Sequence, residues 1–283
     1  MRVLILGGTA FTGPHIARAL HAAGHEVGVF HRGKTEAAFP EGVRDLRGDI
    51  KRLPEHADEL RAFRPDVVVH MVTLAAQDAW NCLSVFRGAA RRTVVVTSQD
   101  VYRAYGRLIN LEDGLPDPVP LGEEAPLRSK LFPYRDKGPA ADNPYFEYDK
   151  ILVERILQSE PGLPATVLRY PMVYGPGDRQ HRLFATLKRM DDGRPAILLD
   201  ESIAEWRWTK GYAEDMAHAV FLAVTRPEAA GRVYNVGEEG APTQREWIER
   251  IGRAAGWTGR VVVLPPEKTP KHLANDMNTR QHL

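Results

Sequence analysis

Short apolar runs alternate with stretches of helical period through the first half of the chain. Residues 3–6 are uninterrupted and apolar, the pattern of a strand covered on both faces. Residues 14–23 then place Ile16, Ala17, Leu20 and Ala23 on one helical face. Strands are predicted at 25–30, 43–46, 66–71 and 93–97, with a helix at 75–90 between the last two. Such alternation implies right-handed crossovers and a doubly wound parallel sheet of the α/β class. From about 103 to 143 the period is lost, and Pro116, Pro118, Pro120, Pro126, Pro133 and Pro139 mark a long irregular segment. Helix is expected again at 144–158, with Asn143 as its N-cap and Pro144 at the first helical position. A strand follows at 166–170, and 233–236 reads as a strand that rejoins the sheet. A last helix at 246–255 has Thr243 as cap and Glu246 three residues on. The expected division is a main α/β unit over 1–174, completed by 232–237, and a smaller C-terminal lobe made of 175–231 and 238–283.

Composition narrows the class. The chain of 283 residues is 43% hydrophobic and 27% charged, near the averages of soluble globular proteins. A net charge of +1 argues against a global field for nucleic acid or membrane and leaves room only for a local basic patch. Cys82 is the only cysteine, so neither an intramolecular disulfide nor a cysteine metal cluster is available, and no metal is expected. A cytoplasmic location follows most simply. The opening apolar run is too short for a signal sequence, and no run has the length of a membrane span.

Gly7-Gly8-Thr9-Ala10-Phe11-Thr12-Gly13 joins the first strand to the first helix. Glycine torsions make the turn tight, and the free N–H groups and positive end of the helix suit a pyrophosphate. Following a strand and opening a helix, this is the context in which a glycine cluster reads as a Rossmann-type dinucleotide site. Gly13 is expected to let the helix pack closely on the strand.

At this point the chain resembles the short-chain dehydrogenase/reductase superfamily, specifically its extended epimerase/dehydratase branch. That branch reads Gly-x-x-Gly-x-x-Gly here, and this chain has Ala10 at the middle glycine. The likeness continues in order through Arg47-Gly48-Asp49-Ile50, the fourth strand to His70, Thr97-Ser98-Gln99-Asp100-Val101-Tyr102, residues 168–178, Tyr212-Ala213-Glu214-Asp215-Met216-Ala217 and Tyr234-Asn235-Val236-Gly237. The resemblance implies cofactor contacts at Gly7, Thr9, Ala10, Phe11, Thr12 and Gly13, at His31 and Arg32, and at Asp49 and Ile50 beside the adenine. It also implies contacts at His70, Met71, Thr97, Lys150, Tyr170, Pro171 and Met172. The end of the second strand selects the dinucleotide. Phe30-His31-Arg32-Gly33-Lys34 holds cations and no carboxylate, so NADP is favoured and NAD remains possible.

The superfamily's acid/base pair is a Tyr and a Lys four residues apart on one helix face, with a Ser or Thr hydroxyl positioning the substrate. The resemblance puts Ser98 at the hydroxyl position and Lys150 at the lysine, but four residues before Lys150 stands Phe146. A regular helix places Phe146 in the same pocket as Lys150, since four residues turn through about 400°. Tyr145 and Tyr148 flank the gap and can substitute if the helix start is irregular. This departure and the short connection between strands four and five point towards atypical members, including those similar to chloroplast stem-loop-binding proteins.

On the substrate side Arg179 and Arg182 follow Gly175-Pro176-Gly177-Asp178, and Arg207 lies one residue out of register with the branch's phosphate-binding arginine. The functions in view are an NAD(P)-dependent epimerase, dehydratase or reductase acting on a sugar nucleotide or related carbonyl or alcohol, a dinucleotide-binding sensor without the phenol, and an RNA-associated relative. A small-molecule substrate is expected, nucleic acid is disfavoured by the charge, and a homodimer is left open.

Overall fold

The computed structural model describes residues 1–283. β1 (Arg2–Leu6) sends Val3 and Ile5 into one core with Ile16, Ala17 and Leu20 of α1 (Thr12–Ala22). Leu4 and Leu6 enter a second core on the opposite face. An uninterrupted apolar run gives this result in a central strand, because successive side chains point to opposite faces. β2 (Glu26–His31) and β3 (Arg44–Arg47) extend the sheet on one side.

α2 (Ala57–Ala62) leads to β4 (Val67–His70), which pairs with the other side of β1. α3 (Ala76–Phe86), β5 (Arg92–Ser98), α4 (Arg103–Leu108), α5 (Lys150–Gln158) and β6 (Ala165–Tyr170) follow. The smaller lobe begins with β7 (Met172–Tyr174), α6 (Phe184–Asp191), β8 (Ala196–Asp200), α7 (Glu201–Ala204) and β9 (Lys210–Tyr212). α8 (Ala213–Thr225) and β10 (Val233–Asn235) return to the main body, and α9 (Gln244–Ala254) and β11 (Arg260–Leu264) complete the lobe.

The seven-stranded sheet is parallel throughout, in the order β10-β6-β5-β4-β1-β2-β3. The connection reverses direction between β1 and β4, so a crevice opens at their C-terminal ends, where doubly wound sheets bind ligands. The lobe's own strands pair as β7 with β9 and β8 with β11. α8 falls within the stretch assigned from sequence to the lobe, yet Met216, Ala217, Val220 and Val224 bury themselves with α1 against the sheet.

The helix expected at 144–158 is shorter than its sequence suggests. Residues 144–147 form turns, with Phe146 N–H donating to Asn143 O at 3.1 Å and Tyr148 N–H to Tyr145 O at 3.0 Å. Asn143 is no helix cap; its Oδ1 accepts from Tyr145 N–H at 3.0 Å. The cap is Asp149, extended at φ −159° and accepting from Ile151 N–H at 2.9 Å. Its N–H is spent on Leu74 O at 3.0 Å and its second carboxylate oxygen on Phe132 N–H at 2.6 Å, so the helical ladder cannot begin earlier.

Candidate active site

The glycine turn is built by close approach. Gly7 has φ +76°, and a Cβ there would lie 2.6 Å from Val72 Cγ2. A Cβ on Gly13 would sit 2.5 Å from the Gly8 carbonyl, so the start of α1 can reach the strand only as glycine. Phe11, at φ 54°, holds a left-handed backbone that side-chain-bearing residues rarely adopt. Thr9, Ala10 and Phe11 line a cavity of about 920 Å³ with Thr35, the 174–179 loop and the exposed face of α6. The turn thus offers the backbone cradle a dinucleotide pyrophosphate requires.

Beyond β2 the arrangement departs from expectation. The His31 ring is 7% exposed and faces β3, with Nδ1 accepting from Gly33 N–H at 3.1 Å and Nε2 2.8 Å from Asp45 Oδ1. A carboxylate therefore does stand near the strand end, supplied by the neighbouring strand and paired with Arg47 at 2.5 Å. The alternating Arg44-Asp45-Leu46-Arg47 was the only sequence signal for it. Arg32 and Lys34 remain exposed. Asp49 caps the following turn through Lys51 N–H at 3.0 Å, and Ile50 lies under Gly7.

Two of the expected cofactor residues turn their side chains inward, although Thr97 also lines the cavity over the ends of β5 and β6. The Thr97 hydroxyl donates to Glu154 at 2.6 Å, and Glu154 pairs with Arg169 at 2.7 Å, beneath the site. His70 is 1% exposed, its Nδ1 lacks a partner, and burial pushes its pKa down to about 4, so the ring is neutral and interior. Met71, next in the chain, is half-buried and continues the β4–β1 pairing through N–H to Leu6 O at 3.0 Å.

A second cavity, of about 650 Å³, opens over the ends of β5 and β6. It brings together Ser98, Tyr145, Tyr148, Lys150, Tyr170, Pro171 and Met172. Lys150 does not reach for solvent. Its Nζ donates to Thr73 O and lies 3.4 Å from Val96 O, and burial lowers its pKa to about 8. The Tyr148 ring lies 5.7 Å from that Nζ, and its hydroxyl donates to Asp100 Oδ2 at 2.5 Å. Burial pushes the Tyr148 pKa well up, with the Asp100 carboxylate adding to the shift. Tyr170 is held by its hydroxyl on Met216 O at 2.6 Å.

Phe146 is outside this cavity, against the reading that a regular helix allowed. Its ring lies 4.9 Å beneath the Arg135 guanidinium, which also contacts Phe132 at 3.6 Å. Because the helix begins at Lys150, the four-residue rule does not apply, and the phenol at the lysine's side is Tyr148. Sequence reasoning missed Asp100, Tyr105 and Tyr134, which line the same cavity. Asp100 stood within a recognised motif; Tyr134 sits in the irregular segment, where no period announces it.

The three arginines expected to bind substrate do not converge. Arg179 reaches across the first cavity to Thr35, Nη2 to Oγ1 2.6 Å. Arg182 pairs with Asp178 at 2.7 Å and touches both cavities. Arg207 donates to Ala241 O at 2.9 Å and lines a third cavity with Glu238 and His282. His282 and Leu283 belong to a C-terminal stretch folded against the 206–209 segment, with Thr209 N–H on Leu283 O at 2.8 Å.

The model of the NAD-dependent epimerase/dehydratase family matches residues 3–94 and 124–237, which hold most of the parallel sheet and, of the second cavity, Tyr134, Tyr145, Tyr148, Lys150 and Tyr170; the end of β5 with Ser98 and Asp100 lies outside the match. The chain belongs to the NAD-dependent epimerase/dehydratase family. Within and around this family it is 29% identical over 280 residues to 2′-dehydrokanamycin reductase of Streptomyces kanamyceticus, covering 96% of this chain and 72% of that protein. It is 29% identical over 282 residues to a 3-diazoavenalumate denitrifying reductase of a Streptomyces species, covering 97% and 86%. Among solved structures it is similar to the UDP-glucose 4-epimerase of Thermus thermophilus in complex with NAD, with a TM-score of 0.66 and 27% identity over 95% of this chain and 88% of that one. No helix is long and apolar enough to cross a membrane.

Proposed function

We propose that this family member is an NADP-dependent oxidoreductase that interconverts a carbonyl and an alcohol on a sugar-related small molecule. The observation that carries the reading is one cavity at the sheet's C-terminal edge lined by Ser98, Tyr148 and Lys150, linked through Arg182 to the cavity of the glycine turn. The turn, Asp49 and Ile50 would hold the dinucleotide, and Lys150 with the 170–172 segment would flank its reactive end. When bound there, a reduced nicotinamide supplies hydride. Ser98 orients the substrate oxygen, and Tyr148 exchanges the proton. Two curated relatives named as reductases and a neighbour crystallised with NAD support this chemistry.

NADP is preferred in this reading because Arg32, Lys34 and the incoming Arg179 gather around the loop after β2, while Asp45 is already engaged by His31 and Arg47. The substrate is smaller than a sugar nucleotide, since Arg179 and Arg207 sit in other cavities and only Arg182 reaches the site. Tyr105, Tyr134, Tyr145 and Trp208 supply flat faces for a ring. The sensor alternative rested on Phe146 and loses its support with that residue outside the cavity. Calorimetry with NADPH and NADH, followed by NADPH oxidation with a panel of hydroxylated cyclic ketones, tests the proposal. Tighter NADPH binding with turnover supports it; binding of neither dinucleotide overturns it.

A further inference from the structure

We propose that Asp100 is the proton donor behind Tyr148, forming a carboxyl–phenol relay that makes this site a carbonyl-reducing one. The inference rests on the proposed oxidoreductase reading and adds a residue to it. Asp100 follows β5, two residues after Ser98, whose hydroxyl oxygen accepts from Asp100 N–H at 3.2 Å. Its side chain is 6% exposed. One carboxyl oxygen is 2.5 Å from the Tyr148 hydroxyl, and the other is buried with no partner. An ionised carboxylate in that position leaves a charge half satisfied in the interior, which is costly. An un-ionised carboxyl resolves the cost.

The surroundings bear on the same point. Asp100 faces Arg128 and Tyr134 from the irregular segment, Tyr105 from α4, Tyr148 and Asp149 ahead of α5, and Lys150 from α5 itself. Arg128 spends its Nε on the Asp100 main-chain oxygen at 2.5 Å and its Nη1 on Lys130 O at 2.6 Å. Lys150 is turned to Thr73 O and Val96 O. Neither cation bonds the Asp100 carboxyl, and burial raises its pKa above the usual carboxylate range despite both.

Protonation decides what Tyr148 can do. With Asp100 ionised, the phenol hydrogen is committed to the carboxylate and the cavity receives none. With Asp100 protonated, its O–H donates to the phenol oxygen, and the phenol hydrogen is free to point into the cavity. In the reducing direction the hydride electron pair, supplied by a bound reduced nicotinamide dinucleotide, forms the new C–H bond as the carbonyl π bond breaks. The π pair ends on oxygen, which takes the Tyr148 proton. The Asp100 O–H bond breaks as a new O–H forms on Tyr148, and cleft water returns a proton to the carboxylate after release. Asp100 therefore acts through Tyr148 as a positioning residue and proton store.

The test joins two measurements. Infrared titration of the wild-type protein against Asp100→Asn isolates the Asp100 carboxyl band without any substrate. Its midpoint is expected above that of an ordinary aspartate, and it should rise further in Tyr148→Phe, which folds with one hydroxyl fewer. A midpoint in the ordinary range or below, or one indifferent to Tyr148→Phe, overturns the relay. Single-turnover reduction of phenanthrenequinone by NADPH is expected to lose at least tenfold in rate as pH rises through the same midpoint. Asp100→Asn, whose amide donates to the phenol at every pH, removes that limb; a merely structural Asp100 would lower the rate equally across pH and leave the limb in place, which also overturns the relay. Failure of NADPH to bind would sink the oxidoreductase reading instead, and the infrared result would still decide the state of Asp100.

Discussion

Glu154 of α5 and Arg169 of β6 face each other at 2.7 Å with both side chains almost wholly buried. Thr97 and Tyr102 complete the network, the Tyr102 hydroxyl accepting from Arg169 at 2.8 Å and donating to Asn235 of β10 at 2.7 Å. Through Thr97 and Tyr102 the pair ties together β5 and β6, over whose ends the second cavity opens, and the neighbouring β10. Removing one partner strands the other charge in the interior. Glu154→Ala is therefore expected to lose about 3–5 kcal/mol of stability, read from the midpoint of urea unfolding, and a loss of under about 1 kcal/mol would show that Arg169 finds water instead.

The identity of the acid separates two tyrosine-directed substitutions. Tyr148→Phe should lower kcat for ketone reduction by about 100-fold or more, with little change in NADPH affinity. Phe146→Tyr should change neither, because the new hydroxyl would lie beneath Arg135. Steady-state kinetics on both variants decides the matter, and a gain of activity in Phe146→Tyr would reverse the assignment.

Lys150 predicts a pH dependence of stability. Its pKa is lowered to about 8 in the folded chain by burial, below the ordinary lysine value it regains on unfolding. The unfolded chain therefore holds the extra proton between the two values, and stability attributable to Lys150 rises with pH across that window. It is fully present above the unfolded pKa and is lost as pH falls towards the folded value of about 8. Relative to Lys150→Met, the wild type should gain on the order of 3 kcal/mol between about pH 7 and pH 11, measured by denaturant titration at each pH. A flat difference would show that the ammonium is solvated.

Gly13→Ala places a methyl against the Gly8 carbonyl, where the nearest approach is 2.5 Å. The start of α1 must then move off the strand. The expected cost is about 1–3 kcal/mol of stability, together with a clear loss of NADPH affinity by calorimetry. Gly24→Ala, a positive-φ turn glycine with open space around it, should cost stability without touching affinity.

The sheet was legible because its central strands are buried on both faces and read as apolar, valine-rich runs, such as Val67-Val68-Val69 and Thr93-Val94-Val95-Val96. The glycine turn was legible because steric contact leaves no other residue at Gly13. The active-site helix was misjudged at its start for an energetic reason that period cannot show. Tyr145, Phe146 and Tyr148 have helical spacing with α5, yet Asp149 is claimed by Leu74 and Phe132, which are remote in sequence. Long-range bonds of that kind, and the inward turn of His31 towards Asp45, depend on which strand becomes the neighbour and are not written in any local window.

Arg179 and Thr35 join the two walls of the first cavity by a single exposed hydrogen bond. A bond of that type contributes only about 1 kcal/mol. That one bond is therefore too weak to act as a latch on the cavity mouth. In the proposed site a dinucleotide would need no trigger to displace it, and a phosphate bound beneath Arg179 would change the waiting time before departure far more than the rate of arrival.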